Sequence, residues 1–455
     1  MTQQFGQGFE GLEERTLLAA NVTATLVGDT LIVEGDVTAN DINVFGDGTN
    51  GQVTVNVSGQ ELAVSGGTLE EFDQGSFTGV ANVVVRGNEG DDDIHVADIN
   101  INGNLTVQGG IGEDYIALHT HDFDTFIGGG VILNGGISLN DDIEVEALGY
   151  GSDLTIGGGL AMLNNGGAYG DLFLSAEYGN ISIGGGVFMN TFSQLGSEGS
   201  AEMRADYGNL SIGGGVVMNG GVGDDFLGIF AGYGATANAT SKTGVSIEGN
   251  IIMNGGWGND ELYITAYGYG FAASGAAPAQ PVGLGVSNNI EISGSVYMLG
   301  GVGNDELSVG GQGADVSIGG SLNQFGGFGD DSLDAFAYNY GVVSIAGNVL
   351  ADGGAGNDWI GAYGTVVGGG AIITAGLGND DIDLDANTVN GDVWVFGGFG
   401  NDTVCVENNV IGGSAGLFGG FGFDRAYVGN NEVNGFFIPL SIEQYLNVCP
   451  FDVPV

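Results

Sequence analysis

An eight-residue phrase, Gly-Gly-x-Gly-(Asn/Asp)-Asp-x-apolar, returns along this chain, and few folds accommodate such punctuation. Gly300-Gly301-Val302-Gly303-Asn304-Asp305-Glu306-Leu307 is a clean copy; others begin at Gly109 (with Glu113 at the fifth place), Gly220, Gly255, Gly326, Gly353, Gly397 and Gly419 (with Phe423 at the fifth place and Ala426 at the last). Near copies begin at Gly87, followed by Asn88, and at Ala375, which replaces the first Gly. Glycine supplies backbone with φ > 0, the Asp belongs to the turn, and the apolar residue opens the next strand.

The motif Asp residues are Asp92, Asp114, Asp225, Asp260, Asp305, Asp331, Asp358, Asp380, Asp402 and Asp424. Asp92 and Asp114 are 22 residues apart, as are successive members of the run Asp358, Asp380, Asp402 and Asp424. The remaining steps are longer. A floor of 22 with additions only describes a coil of fixed minimum length that tolerates inserted loops, and such units bury a core only by stacking. Three degraded copies lie near Gly135, Gly166 and Gly196, the last with Ala201 where the Asp belongs.

Period-two alternation places the strands. Leu105 and Val107, Val216 and Met218, Ile251 and Met253, and Val296 and Met298 precede the motif as inward pairs. Leu307 and Val309, Ile382 and Leu384, and Val404 and Val406 follow it. Ser-Ile-Gly-Gly marks a third strand at Ile183, Ile212 and Ile318, often after a Tyr-Gly corner (Tyr150, Tyr178, Tyr207, Tyr340, Tyr363) whose rings should form a partial ladder. These signals predict an all-β chain, a right-handed parallel β-helix of about thirteen coils with about three strands each, over residues 87–428. Residues 1–20 form an export or capping segment, with helix around Leu12–Leu18. Residues 21–86 are early coils or a capping domain, and 429–455 a C-terminal cap. Insertions at 231–244 and 267–289 fall between the same strands of neighbouring coils.

Five Lys and Arg face 56 Asp and Glu, a formal charge of −51, which argues against nucleic acid and anionic membranes as partners. No apolar run reaches the ~20 residues of a membrane span. Cys405, between inward Val404 and Val406, should face outward within reach of Cys449; a disulfide and two free thiols both stay open.

An Asp column stacked at ~4.8 Å is costly. Neighbouring unit charges at that distance repel by about 0.9 kcal/mol in water and about 3.5 kcal/mol at an effective dielectric of ~20. Too few Lys and Arg exist to neutralise it. Hard cations with oxygen ligands suit such a column, calcium before magnesium because it tolerates irregular sites. A solvated turn ladder held by Asn and Asp hydrogen bonds is the alternative.

The motif resembles the Gly-Gly-x-Gly-x-Asp-x-apolar-x nonapeptide of the RTX family, a calcium-binding β-solenoid signature, over roughly residues 87–427. That resemblance implies calcium between equivalent turns, held by the ten motif Asp residues and turn carbonyls. Family repeats recur every nine residues; here the motif comes once per 22 or more, so one column of ions is implied. Separately, Phe9-Glu10-Gly11-Leu12-Glu13-Glu14-Arg15-Thr16-Leu17-Leu18 resembles a segment near the start of many secreted planctomycete proteins. It lacks the basic and apolar regions of a cleaved signal peptide.

These readings converge on a secreted or cell-surface, calcium-binding structural or adhesive solenoid, with surface polysaccharide or another matrix protein as partner and no catalytic residues. The alternative is a polysaccharide-acting hydrolase or lyase on the same fold. Lyases need basic residues, and Arg15, Arg86, Arg204, Lys242 and Arg425 are scattered; hydrolases need two carboxylates, which are too numerous to single out. His119-Thr120-His121 would set two imidazoles on one strand face, a partial zinc signal that lacks further ligands in sequence.

Overall fold

The computed structural model describes residues 21–71, 73–137, 140–165, 169–192, 198–232, 244–268 and 288–451. Within them the chain is a parallel β-helix: three strands per coil, each stacked in register on the equivalent strand of the next coil. One coil comprises Val296–Val302, Glu306–Gln312 and Val316–Ile318; the next comprises Leu322–Phe328, Ser332–Tyr338 and Val343–Ile345. Met298 pairs with Gln324, Leu307 with Leu333 and Ile318 with Ile345. The third sheet holds thirteen strands, one for each full coil. The described residues contain no helix, and none therefore long and apolar enough to cross a membrane.

Alternation builds the core. Leu105, Val107, Met253, Met298, Leu307, Val309, Ile183, Ile212 and Ile318 are all buried in one continuous cluster along the axis. Each coil buries its apolar face only against its neighbours, so stability is shared between coils. Tyr150, Tyr178 and Tyr207 do stack, with ring centroids 4.5 and 5.3 Å apart.

The motif glycines have different duties. The second and fourth positions take positive φ: 116° and 141° at Gly301 and Gly303, 118° and 130° at Gly327 and Gly329. At Gly329 a Cβ would also run into the carbonyl oxygen of Gly303, backbone that cannot step aside. The first glycine lacks positive φ; its missing Cβ leaves room for the motif carboxylate. Ala375 fills that place in one native coil. Gly329→Ala should therefore destabilise by about 1–3 kcal/mol from φ alone, plus the clash, and by more than Gly326→Ala. Paired denaturant titrations check the ranking.

The segment before Asp92 combines both expectations. Thr30–Glu34 and Asp41–Phe45 stack in parallel on Asn82–Glu89 and Asp93–Ala97, extending the helix. Val22–Val27 then runs antiparallel to Thr30–Glu34 and parallel to Leu62–Ser65. Gln52–Val57 runs antiparallel to Asp41–Phe45 and Gln74–Thr78 antiparallel to Gln52–Val57, and these strands fold over that end. At the other end Phe437–Leu440 and Gln444–Tyr445 add a last partial coil. The tail crosses the outer face of the second sheet, where Phe451 meets Trp359 edge-on and Cys449 forms a disulfide with Cys405. The outward direction expected for Cys405 brings it under this tail. Closing a loop of 44 residues is worth about 4 kcal/mol by chain entropy. Cys449→Ser should consequently speed amide exchange in the last coils while leaving central coils protected.

Register corrects one expectation. Ala201 pairs with Leu172 and Leu227 and is a core residue; the place equivalent to Asp225 belongs to Gly199. The turns at Gly166 and Gly196, the Leu12–Leu18 segment and the interiors of both insertions lie outside the described residues. Both insertions join the second sheet to the third in adjacent coils, after Asp224–Ala231 and after Glu261–Tyr267.

Candidate metal centre

The turn from the first sheet to the second leaves two successive N–H groups outside the strand ladders, and each must find an acceptor. The residue before the motif Asp meets one need on the outside. Asn304 N–H donates to Asn259 Oδ1, Asp330 N–H to Asn304, Asn357 N–H to Asp330 and Asn379 N–H to Asn357, at 2.6–2.9 Å. The motif Asp meets the other on the inside, with opposite polarity. Asp260 N–H donates to Asp305 Oδ1, Asp305 N–H to Asp331, Asp331 N–H to Asp358 and Asp358 N–H to Asp380, at 2.8–2.9 Å. Asp380 and Asp402 continue the series to Asp424, whose own N–H donates to Glu443.

All ten predicted Asp residues therefore line one inner edge. They are buried, at most 3 % exposed, so the column is no solvated acidic face. The series has two members the motif did not reveal. Asp141 accepts the N–H of Asp114, its turn carrying one extra residue, and Asn40 donates its N–H to Asp92 at the N-terminal end. The register places Gly170 and Gly199 between Asp141 and Asp225, which interrupts the column.

The second carboxylate oxygen distinguishes this arrangement from simple capping. Oδ2 of Asp92, Asp114, Asp260, Asp305, Asp331, Asp358, Asp380, Asp402 and Asp424 is buried without a hydrogen-bond partner. In the coils that open on glycine it lies where a Cβ on that residue would project; at Asp380 the place is held by Ala375, whose methyl occupies it. The carbonyl oxygen of the next coil's first motif residue approaches the same point: Asp305 Oδ2 and Gly326 O at Gly300, Asp331 Oδ2 and Gly353 O at Gly326, Asp402 Oδ2 and Gly419 O at Gly397. Two acceptors converging on one buried point need a proton or a cation between them.

Burial raises the carboxyl pKa values, with neighbouring carboxylates adding to the effect at most positions and the amide hydrogen bond opposing it. Asp92, Asp305, Asp358 and Asp402 are pushed up to about 6, Asp114, Asp331 and Asp380 to about 7, and Asp260 to about 8. The donor type, carboxylate plus carbonyl, fits a hard cation such as calcium. These two oxygens supply part of the six to eight that calcium takes, so further turn carbonyls and water would complete a shell.

Two other surfaces escaped the motif reading. The third motif position is apolar and exposed in most coils: Ile111, Trp257, Phe328, Leu377, Phe399 and Phe421 are between 54 % and 71 % exposed, and the last two rings stack at 4.9 Å. The outer face of the second sheet gathers carboxylates and rings, with Glu144 beside Phe173, Phe173 beside Glu202, and Arg204 over Phe173. No protein-family model and no curated protein sequence matches the chain.

Proposed function

We propose that the protein is a secreted or cell-surface structural or adhesive rod whose buried Asp column binds calcium. The observation carrying this reading is the choice of Asp at the inner position. Asn and Asp alternate freely at the outer position (Asn259, Asn304, Asp330, Asn357), whereas the inner position is Asp in the ten motif coils and at Asp141, with Gly170 and Gly199 as the interruption and Asn40 at the end. Asn there would accept the same N–H and could donate to the converging carbonyl, with no charge to bury. Repeated retention of the carboxylate favours a role for its charge, and a cation provides one. Calorimetric titration of chelator-treated protein at pH 8 tests this; a heat indistinguishable from buffer would remove calcium from the account.

The exposed apolar ladder beside the column supports the adhesive part, since surfaces of this kind mark interaction sites. The partner class is surface polysaccharide or another matrix protein. Replacing Phe328, Leu377, Phe399 and Phe421 together with Ser should weaken binding to matrix at least tenfold without lowering the melting temperature. Sedimentation with matrix preparations measures the first and calorimetry the second. The second reading, a polysaccharide hydrolase, is favoured by one feature: Asp171 and Glu202 are raised by desolvation beside Phe173. Release of reducing ends, abolished by Glu202→Gln, would support it.

A further inference from the structure

The chain has three histidines, and stacking brings all of them onto one patch although His95 and His119 sit in different coils. Ring centroids of His95 and His119 are 6.0 Å apart, and those of His119 and His121 are 5.7 Å apart. His119 lies across from Glu146 in the register, with Glu144 diagonal to it. Its side chain is 10 % exposed, and Nε2 is buried without a hydrogen bond. That nitrogen stands 3.5 Å from Glu146 Oε2 and 3.8 Å from Glu144 Oε2. All three ligand atoms fall within 4.8 Å of one another.

We infer that His119, Glu144 and Glu146 form a site for one zinc-class divalent ion, separate from the Asp column. Zinc bound at ~2.1 Å holds tetrahedral ligands about 3.4 Å apart, so the two separations from His119 Nε2, 3.5 and 3.8 Å, need to close by only a few tenths of an ångström, and the two carboxylate oxygens already lie within 4.8 Å of each other. One imidazole and two carboxylates supply borderline and hard donors, ligand types that zinc accepts, and three protein ligands leave a fourth position open. Tyr115 donates its hydroxyl to Glu144, fixing that carboxylate as an outer-shell partner does. A bare ion pair would instead bring an imidazolium N–H into hydrogen-bond geometry with one of the carboxylates. An unbonded Nε2 between two carboxylates is the arrangement a metal resolves.

The test is calorimetric titration of zinc into full-length protein held in saturating calcium, so that the column does not contribute. Cobalt absorption reports coordination. One zinc per chain with micromolar or tighter affinity is expected. His119→Ala should weaken it at least a hundredfold and Glu146→Gln at least tenfold, whereas His121→Ala should change it less than threefold. Circular dichroism identifies any variant that has lost its fold, and Glu146→Gln keeps the shape of the site should His119→Ala be compromised. No stoichiometric zinc in the wild type, or undiminished zinc in both ligand variants, would overturn the assignment.

Discussion

At pH 8, millimolar calcium is expected to raise the unfolding midpoint by about 10 °C or more, and at pH 5 by far less. Each site filled to a hundred times its dissociation constant adds about 2.7 kcal/mol, and several such sites act together. The pH dependence follows from the column itself. Folded pKa values near 6 to 8 exceed the unfolded value of 3.8, so the folded chain holds protons more tightly. That contribution is fully present below about pH 4 and is lost as pH rises through 6 to 8. Calcium-free protein should accordingly be less stable at pH 8 than at pH 5, opposite to the usual behaviour of paired carboxylates. Protons and calcium then compete for the same oxygens, and calcium has most to offer where protons have left. A melting temperature that rises from pH 5 to pH 8 without calcium would contradict this.

The second large effect separates charge from hydrogen bonding at one position. Asp331→Asn keeps an acceptor for the N–H of Asp305 and places a donor towards Gly353 O. It should raise stability at pH 8 without calcium and reduce the gain on adding calcium. Asp331→Ala strands that N–H and leaves a void, and should cost about 2–4 kcal/mol with or without calcium. Asp142→Ala, at an exposed outward position, should do neither. Asn40 shows that a neutral side chain is accepted at the end of the series. If Asn and Ala at 331 behave alike, the second oxygen has no role.

Much of this was legible in residues with period two. Leu105 with Val107, and Leu307 with Val309, announced inward faces because a strand buries alternate side chains. The same rule places Asp305 on the face of Leu307, so the sequence already implied an inward Asp. The expectation of ions between equivalent turns followed the family resemblance and left the depth of the column unstated. Asp141 was missed because one extra residue shifts its turn, although Ile143 and Val145 keep the alternation after it. Ala201 was misplaced for a related reason: without the register, its spacing from Gly196 imitates the motif. The His119, Glu144 and Glu146 cluster could not be read, since its members meet only through pairing of separate coils. The exposed third motif position was readable, as Ile111, Phe328, Phe399 and Phe421 recur at a place where a turn normally carries polar residues.

Equilibrium dialysis with metal analysis, across pH, tests the central claim most directly. The account predicts several calcium ions per chain at pH 8 in millimolar calcium, falling towards none at pH 5 as protons replace them, with fewer ions in Asp331→Asn. Less than one calcium ion per chain at pH 8 would contradict it.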